Sequence, residues 1–505
     1  MVREPLPRGI RKAIERLEAE LTRPWRLADL AAVCGVAPRT LQKHFRRFFG
    51  RPPLAFLREL RFEHARQELL RAPSAATVTA IATGCGFSHL GRFATEYHRR
   101  YGETPSATLR RSRRAATAPC MPLPILTSAL ERPTLALLPF DCFCPQPDLA
   151  TAFPEEIAIA LWRLHWINVV TPPRARYHLR GTIRPGDRGD VRVTVRLLDA
   201  ATGRYLWAAG WDSDLQDRIG FEERVAIGVS RAIQPALRDA EIDRASRGDH
   251  GDPTAWDLTM RALPCVTSIE AAAEGMALEL LEQAMELAPQ DPLPIATAAW
   301  CHGLRAGHHF TVRPEAEKAT ALELAGRAGG LNVCDAFAET MLAAGYTLAH
   351  DLEAAAIHGE RALTLDGGSA WAWGRSAWVK AYCGCALEAS EQFQIARSLS
   401  PADPLNFLWS IGIAAVEFQE ARYANSIRWF KRAQAENPTT TWSNRFLAPA
   451  YVLAGRLGEG RRVLAKFANH YPAVTIADVR AGLPWNAVYL DRVSEGLESA
   501  GMRAR

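Results

Sequence analysis

Apolar residues recur at three- and four-residue intervals in two matched blocks near the start of the chain, and each block predicts two helices joined by a turn. In the first, Leu27, Leu30, Ala31 and Cys34 mark one helix and Gly35 breaks it. After Val36-Ala37-Pro38 a second helix begins at Arg39, with Pro38 tolerated because an N–H at a helix start has no partner in the helix. Leu41, Phe45 and Phe48 form its apolar stripe, which leaves Arg39, Gln42, Lys43, Arg46 and Arg47 to the other faces. Gly50 and Pro52-Pro53 end it. In the second block, Val78, Ile81, Ala82 and Cys85 mark a helix and Gly84 to Ser88 the turn. Leu90, Phe93, Tyr97 and Tyr101 make the buried stripe of the next helix, with Arg92, Thr95, Glu96 and Arg99 outside, and Gly102 and Pro105 close it. Residues 54–70 read as one connecting helix, with Leu57, Leu60, Ala65 and Leu69 inside and Arg58, Arg61 and Arg66 outside.

The pattern then changes twice. Residues 112–132 turn to Ala, Pro and Arg, with Pro119, Pro122, Pro124 and Pro133 interrupting any helix, which marks a linker. Strands are predicted at 134–139, 167–171 and 177–184, and a helix at 155–164. Val191, Val193, Val195 and Leu197 alternate with Arg192, Thr194 and Arg196, the period of a half-buried strand, before a further strand at 204–211 and a helix at 221–242. These elements make a small α/β domain at 133–245. From residue 254 onward the pattern is helical, and phrases built around Ala284, Ala328, Ala362, Ala396 and Ala433 recur at intervals of 44, 34, 34 and 37 residues. Two intervals equal a 34-residue helix-pair period, and the first accommodates a loop insertion. Such pairs bury their apolar faces only by stacking, so 254–503 is expected to form an α-solenoid with a concave groove, capped by helices within 477–501. Trp371, Trp373, Trp378 and Tyr382 are expected to pack between helices. The fold class is therefore multidomain and mainly α.

Composition narrows the function. At 505 residues the chain exceeds one ordinary core, and no apolar stretch approaches the roughly 18 to 20 residues of a membrane span. The charged helix predicted at 10–21 is unlike a signal peptide, so a cytoplasmic protein without membrane association is expected. The ten cysteines are scattered; Cys142 with Cys144 and Cys383 with Cys385 have one residue between them, too few for zinc-ligand spacing, and they read as core thiols. His308-His309 has no acidic or cysteine partner nearby in sequence. Neither a metal nor a cofactor is expected. There is no Gly-rich loop ending in Gly-Lys-Ser/Thr, no Gly-x-Ser-x-Gly elbow and no carboxylate pair placed for two-metal chemistry, while Asp187, Asp190 and Asp199 suit turns; an enzyme is not expected. Charge is unevenly placed. Residues 1–114 hold 23 Lys and Arg against 10 Asp and Glu, a net of +13, whereas the rest hold 38 against 45, a net of −7. A basic helical module on a mildly acidic body suits phosphate neutralisation, and the connecting helix, about 25 Å long, allows two basic helices to lie about one DNA turn, roughly 34 Å, apart.

Five ordered runs resemble the AraC/XylS transcription-factor DNA-binding domain over residues 8–111. They are Leu27-Ala28-Asp29-Leu30-Ala31, Arg39-Thr40-Leu41-Gln42-Lys43-His44-Phe45, Phe56-Leu57-Arg58-Glu59-Leu60-Arg61-Phe62-Glu63-His64-Ala65-Arg66, Gly86-Phe87-Ser88-His89-Leu90-Gly91-Arg92-Phe93, and Tyr101-Gly102-Glu103-Thr104-Pro105-Ser106. The resemblance implies base-edge contacts from Arg39, Gln42 and Lys43 in the first unit and from His89, Gly91, Arg92 and Thr95 in the second, although Gly91 has no side chain to read with. Arg46, Arg47 and Arg99 join them as DNA-binding candidates. Most members carry this domain at the carboxyl end; here it comes first, so their usual ligand-binding partner domain is not implied. Leu135-Ala136-Leu137-Leu138-Pro139-Phe140, Tyr177-His178-Leu179-Arg180-Gly181, the strand from Val191 and Leu206-Trp207 are similar to the TolB-like α/β domain of bacterial signalling proteins, which is often paired with tetratricopeptide repeats. The expected function is a sequence-specific transcriptional regulator that binds double-stranded DNA, with carboxyl-terminal regions sensing an effector or partner. A protein or peptide is the expected occupant of the repeat groove, and there is room for a homodimer. The alternative is a tetratricopeptide-repeat interaction scaffold that the basic domain recruits to DNA.

Overall fold

The computed structural model describes residues 12–13, 16–17, 23, 25–49, 52–71, 77–87, 90–101, 104–106, 108–109, 132–172, 175–186, 190–213, 217–248, 252–331, 333 and 335–504. Two compact units, Met1–Pro122 and Leu123–Arg505, divide the chain.

The first unit contains α1 (Leu27–Cys34), α2 (Pro38–Phe49), α3 (Pro53–Arg71), α4 (Val78–Gly84) and α5 (Leu90–Tyr101). The tight turn after α1 needs the left-handed backbone of Gly35 (φ 69°), which lets the Gly35 and Val36 N–H groups bond back to the Ala32 and Ala31 carbonyls. Gly86 (φ 82°) serves the matching turn after α4. Two small cores result. Leu30, Ala31, Leu41, Phe45 and Leu57 belong to one, and Phe62, Ala65, Leu69, Ala82, Phe87, Phe93 and Tyr97 to the other. Helix α3, 19 residues and about 28 Å long, feeds both cores from its two ends. One stripe position differs from expectation: Leu90 is 38% exposed, because it opens α5 one turn short of the ring cluster formed by Phe62, Phe87 and Phe93. The Phe48 and Tyr101 side chains, most of the helix expected at 10–21 and the linker up to residue 131 lie outside the described residues.

The second unit opens with a six-stranded sheet. Its strands are β1 (Thr134–Leu137), β2 (Asp141–Cys142), β3 (Asn168–Val169), β4 (Tyr177–Pro185), β5 (Val191–Asp199) and β6 (Tyr205–Ser213). The order is β3-β1-β4-β5-β6, parallel from β3 to β4 and antiparallel beyond, with β2 parallel beside β4. Strand β2, only two residues long, has no readable period in the sequence. Helix α6 (Leu149–Trp162) starts almost two turns before the expected 155 and runs through Pro154. Proline there removes the N–H that the Ala150 carbonyl would accept, and the Phe140 N–H donates to that carbonyl instead at 3.4 Å. Helix α7 (Arg218–Arg247) is 30 residues long and extends past both expected ends.

Twelve helices follow as six antiparallel pairs among the described residues. They are α8 (Ala255–Ser268) with α9 (Ala271–Leu287), α10 (Pro292–Gly307) with α11 (Pro314–Gly329), α12 (Ala336–Leu348) with α13 (Leu352–Leu365), α14 (Ala370–Tyr382) with α15 (Ala386–Leu399), α16 (Asn406–Gln419) with α17 (Tyr423–Glu436), and α18 (Asn444–Leu453) with α19 (Leu457–His470). The first helix of each pair is enclosed, as all-round apolar α10 and α16 show; its partner keeps one polar face in water. Trp371, Trp378 and Tyr382 are buried between helices as expected.

The α/β domain and the repeats share one hydrophobic core. Helix α7 forms the seam. Its Glu241 carboxylate, fully buried, accepts from the Tyr177 hydroxyl (2.7 Å), the Trp256 indole (2.7 Å), Arg176 and Arg244. Gln234 donates to Asp366 and Arg238 to Asp403, so the helix touches successive repeats. Arg132, at the end of the expected linker, donates to Asp335 at 2.8 Å and is anchored on the array. The final helices α20 (Ile476–Gly482) and α21 (Ala487–Ala500) do more than cap the solenoid: Trp485, between them, packs edge-to-face against Trp378, Tyr382 and Phe446 inside it. No helix among the described residues is long and apolar enough to cross a membrane.

Candidate nucleic-acid interface

In α2, burial of Leu41 and Phe45 turns the opposite face outward, and Arg39, Lys43 and Arg46 fall on it at i, i+4 and i+7. All three are exposed; Gln42 is half-buried at the edge of this face. In α5 the buried Phe93 and Tyr97 do the same for Arg92 and Thr95, both exposed. Thr95 donates its hydroxyl to the Gly91 carbonyl of its own helix at 3.0 Å, which leaves its oxygen as an acceptor. His89 and the side chains of Arg47 and Arg99 lie outside the described residues. The reading from sequence passed over His98, exposed three residues beyond Thr95 on the same stripe; helical spacing alone was the available signal.

Arginines of the connecting helix have a different role. Arg58 and Arg61, expected to point outward, bind within the unit, as does Glu96. Arg58 grips the Glu96 carboxylate through Nη2 (2.5 Å) and Nε (3.1 Å), tying α3 to α5. Arg61 donates from Nη2 to the Arg23 carbonyl (2.7 Å) and from Nη1 to the Gly86 carbonyl (3.1 Å), so one guanidinium links the two halves of the domain. Burial pulls its pKa down, with the nearby Arg58 charge adding to the effect. A Cβ on Gly86 would stand 2.9 Å from the Arg61 Cζ, which is a second reason for glycine in that turn. Helical period assigns these residues to a face, yet it cannot say that another helix covers that face.

Two classes of basic residue emerge. Among the described residues, Arg39, Lys43, Arg46 and Arg92 make no ion pair, while Arg58 is paired with Glu96. Cations without acidic partners on an exposed stripe are available to an external polyanion; paired ones are not. Between the halves runs a cleft of about 470 Å³ bordered by Arg26, Arg58, Arg61 and Arg92. Of these, Arg92 belongs to the exposed stripe of α5, whereas Arg58 and Arg61 are held by bonds within the unit. Among the described residues no three His, Cys, Asp or Glu side chains come together as a metal site.

A family model described as a helix-turn-helix domain matches residues 30–111. The "Probable thc operon regulatory protein" of Rhodococcus erythropolis is 42% identical over 106 residues, covering 21% of this chain and 32% of that protein. "Putative adenylate cyclase 3" of Rhizobium meliloti (strain 1021) is 25% identical over 180 residues, 31% of this chain and 30% of that one. The chain thus spans about a third of the length of these curated relatives. Among solved structures, a probable AraC family transcriptional regulator from Rhodopseudomonas palustris CGA009 is 40% identical and covers 21% of this chain and 98% of its own, with a TM-score of 0.20. A tetratricopeptide repeat protein from Parabacteroides merdae ATCC 43184 is 16% identical, covers 52% and 91% respectively, and has a TM-score of 0.28.

Proposed function

Because the amino-terminal part of this chain is a helix-turn-helix domain of the AraC type, we propose that the protein is a sequence-specific transcriptional regulator acting in the cytoplasm. The observation that carries this reading is the stripe of exposed cations without acidic partners on α2, matched by Arg92 on α5. In the proposed complex α2 and α5 enter successive major grooves. Arg39, Gln42, Lys43, His89, Arg92 and Thr95 face base edges, and Arg46, Arg47 and Arg99 hold phosphates. The α/β and repeat domains sense an effector or protein partner, and no catalysis is involved. Entry of a peptide into the interior of the array requires Trp485 to withdraw, so a partner first meets the outer helices or the closing segment.

The test uses the full chain and a DNA site selected from random sequence. Arg39→Ala or Lys43→Ala should weaken that site by about 1–3 kcal/mol, roughly 5- to 150-fold, if a bidentate contact is lost. Stability should change by less than about 0.5 kcal/mol, since both side chains are exposed. Equal affinity in parent and variants would reject the assignment. A ratio of selected to random DNA affinity near one would favour the scaffold reading, in which the basic domain only recruits the repeats. Turnover of ATP with a divalent metal would favour an enzyme.

A further inference from the structure

Where the segment between α20 and α21 closes the concave face, the repeat array encloses a cavity of about 30 Å³. Its wall is mainly apolar, and several of its polar lining residues carry buried donors. Arg375 of α14, 5% exposed, is one of its lining residues, and its Nε and Nη2 lack any protein partner. The indole N–H groups of Trp378, Trp442 and Trp485 and the Tyr489 hydroxyl, all from lining residues, are equally without partners. Behind Trp442 and Phe446 stands Arg445, 1% exposed, its guanidinium 4.9 Å from the Phe446 ring. Its Nη2 donates to the Gly307 carbonyl at 2.9 Å, while Nε and Nη1 have no protein partner. No Asp or Glu is among the lining residues. Asp403, whose charge reaches Arg375, is already bound by the Trp371 indole (2.9 Å), the Leu405 N–H (3.0 Å) and Arg238 (3.2 Å).

A buried guanidinium without a counter-charge is costly, and a ring of unpaired indole donors adds to that cost. Burial draws Arg375 down to about 9 and Arg445 to about 10, so both still carry their charge at neutral pH. The Trp300 ring face, 4.1 Å from the Arg375 guanidinium, offers only partial compensation. Unpartnered donors on residues that line a small space are complementary to negative charge. Its volume suits a guest of one or two waters' size and excludes a nucleotide or peptide.

We propose that this cavity binds a small monovalent anion, a halide or a carboxylate group, held between Arg375 and the indole N–H groups of Trp378, Trp442 and Trp485. The anion joins α14 to the closing segment and α21, because Trp485 comes from the former and Tyr489 from the latter, and so it stabilises the closed array. The site is independent of the DNA-binding reading and is tested without DNA.

Thermal unfolding of the full chain is followed by tryptophan fluorescence in sodium chloride and in sodium acetate, with sodium gluconate, a carboxylate whose six-carbon chain is too large for the cavity, holding ionic strength constant. The expected result is a saturable rise in Tm with chloride or acetate over gluconate, and the salt that saturates at the lower concentration identifies the source. Arg375→Met should abolish the rise. Trp442→Phe, which keeps a ring but removes one donor, should move half-saturation several-fold upward, and it decides the matter if Arg375→Met does not fold. Identical melting in all three salts, as a cavity holding water alone would give, overturns the proposal. So does a saturable rise that Trp442→Phe leaves unchanged.

Discussion

Arg61 and Arg39 are the same residue type on neighbouring helices, and burial alone separates their roles. Arg39 is exposed, whereas Arg61 is half-buried and bonded to the Arg23 and Gly86 carbonyls. Replacing Arg61 by Met should therefore destabilise the amino-terminal unit by about 1.5–3 kcal/mol, the range for hydrogen bonds that involve a charged group. Hydrogen exchange of the amides in α4 and α5 measures it, and unchanged protection would refute the linking role. Histidine 309 makes a second prediction. Burial, with Arg445 and Lys318 adding positive charge, pushes its pKa down to about 2. An unfolded imidazole protonates near 6.5, so as pH falls below that value only the unfolded chain takes up the proton and stability is lost. By pH 5 the loss from this one group is about 2 kcal/mol. His309→Asn, which tolerates the positive φ of 62°, should remove that loss. Urea midpoints at pH 7.5 and pH 5 for parent and variant check it, and parallel shifts would defeat it. Neither role was legible in the chain, because spacing reports the side of a helix and not the distant segment that covers it.

At the scale of elements, the long periodic helices were readable and the short or irregular ones were not. Helix α3 and the strands β4 and β5 lie close to where the pattern put them, since each carries a full run of alternation or helical spacing. Helix α6 begins before the expected 155 although proline inside a helix is costly; the Phe140 N–H, from a loop outside that helix, supplies the compensating bond. The same loop constrains β4. A Cβ placed on Gly181 would stand 2.2 Å from the Phe140 ring, so Gly181→Ala forces the ring or the strand to move. Such overpacking should cost about 1–3 kcal/mol, read as a lowered denaturant midpoint of the second unit. An unchanged midpoint would mean that the ring shifts freely.

For the whole molecule, the uneven charge makes affinity for DNA a function of salt. If 6–10 Lys and Arg side chains of the basic unit neutralise phosphates, binding should weaken by about 10³- to 10⁵-fold between 50 and 200 mM monovalent salt. Filter binding across that range measures the slope, and a nearly flat response would remove the phosphate contacts from the proposal. The acidic remainder, a net of −7 over residues 115–505, should contribute little to that slope.

Local order was written in the residues: helical period, glycine and proline stops, the 34-residue recurrence and the concentration of arginine before residue 115 required no partner segment to be visible. Tertiary packing alone assigned Arg58 and Arg61 to internal bonds, fused the α/β domain to the repeats along α7, and brought Trp485 into the concave face. Periodicity arises from neighbours a few positions apart, so one strand of text contains it. Which apolar or charged face meets which other depends on segments well separated along the chain, as the bonds from Arg61 to Arg23 and from Arg445 to Gly307 show, and only the folded chain brings them together.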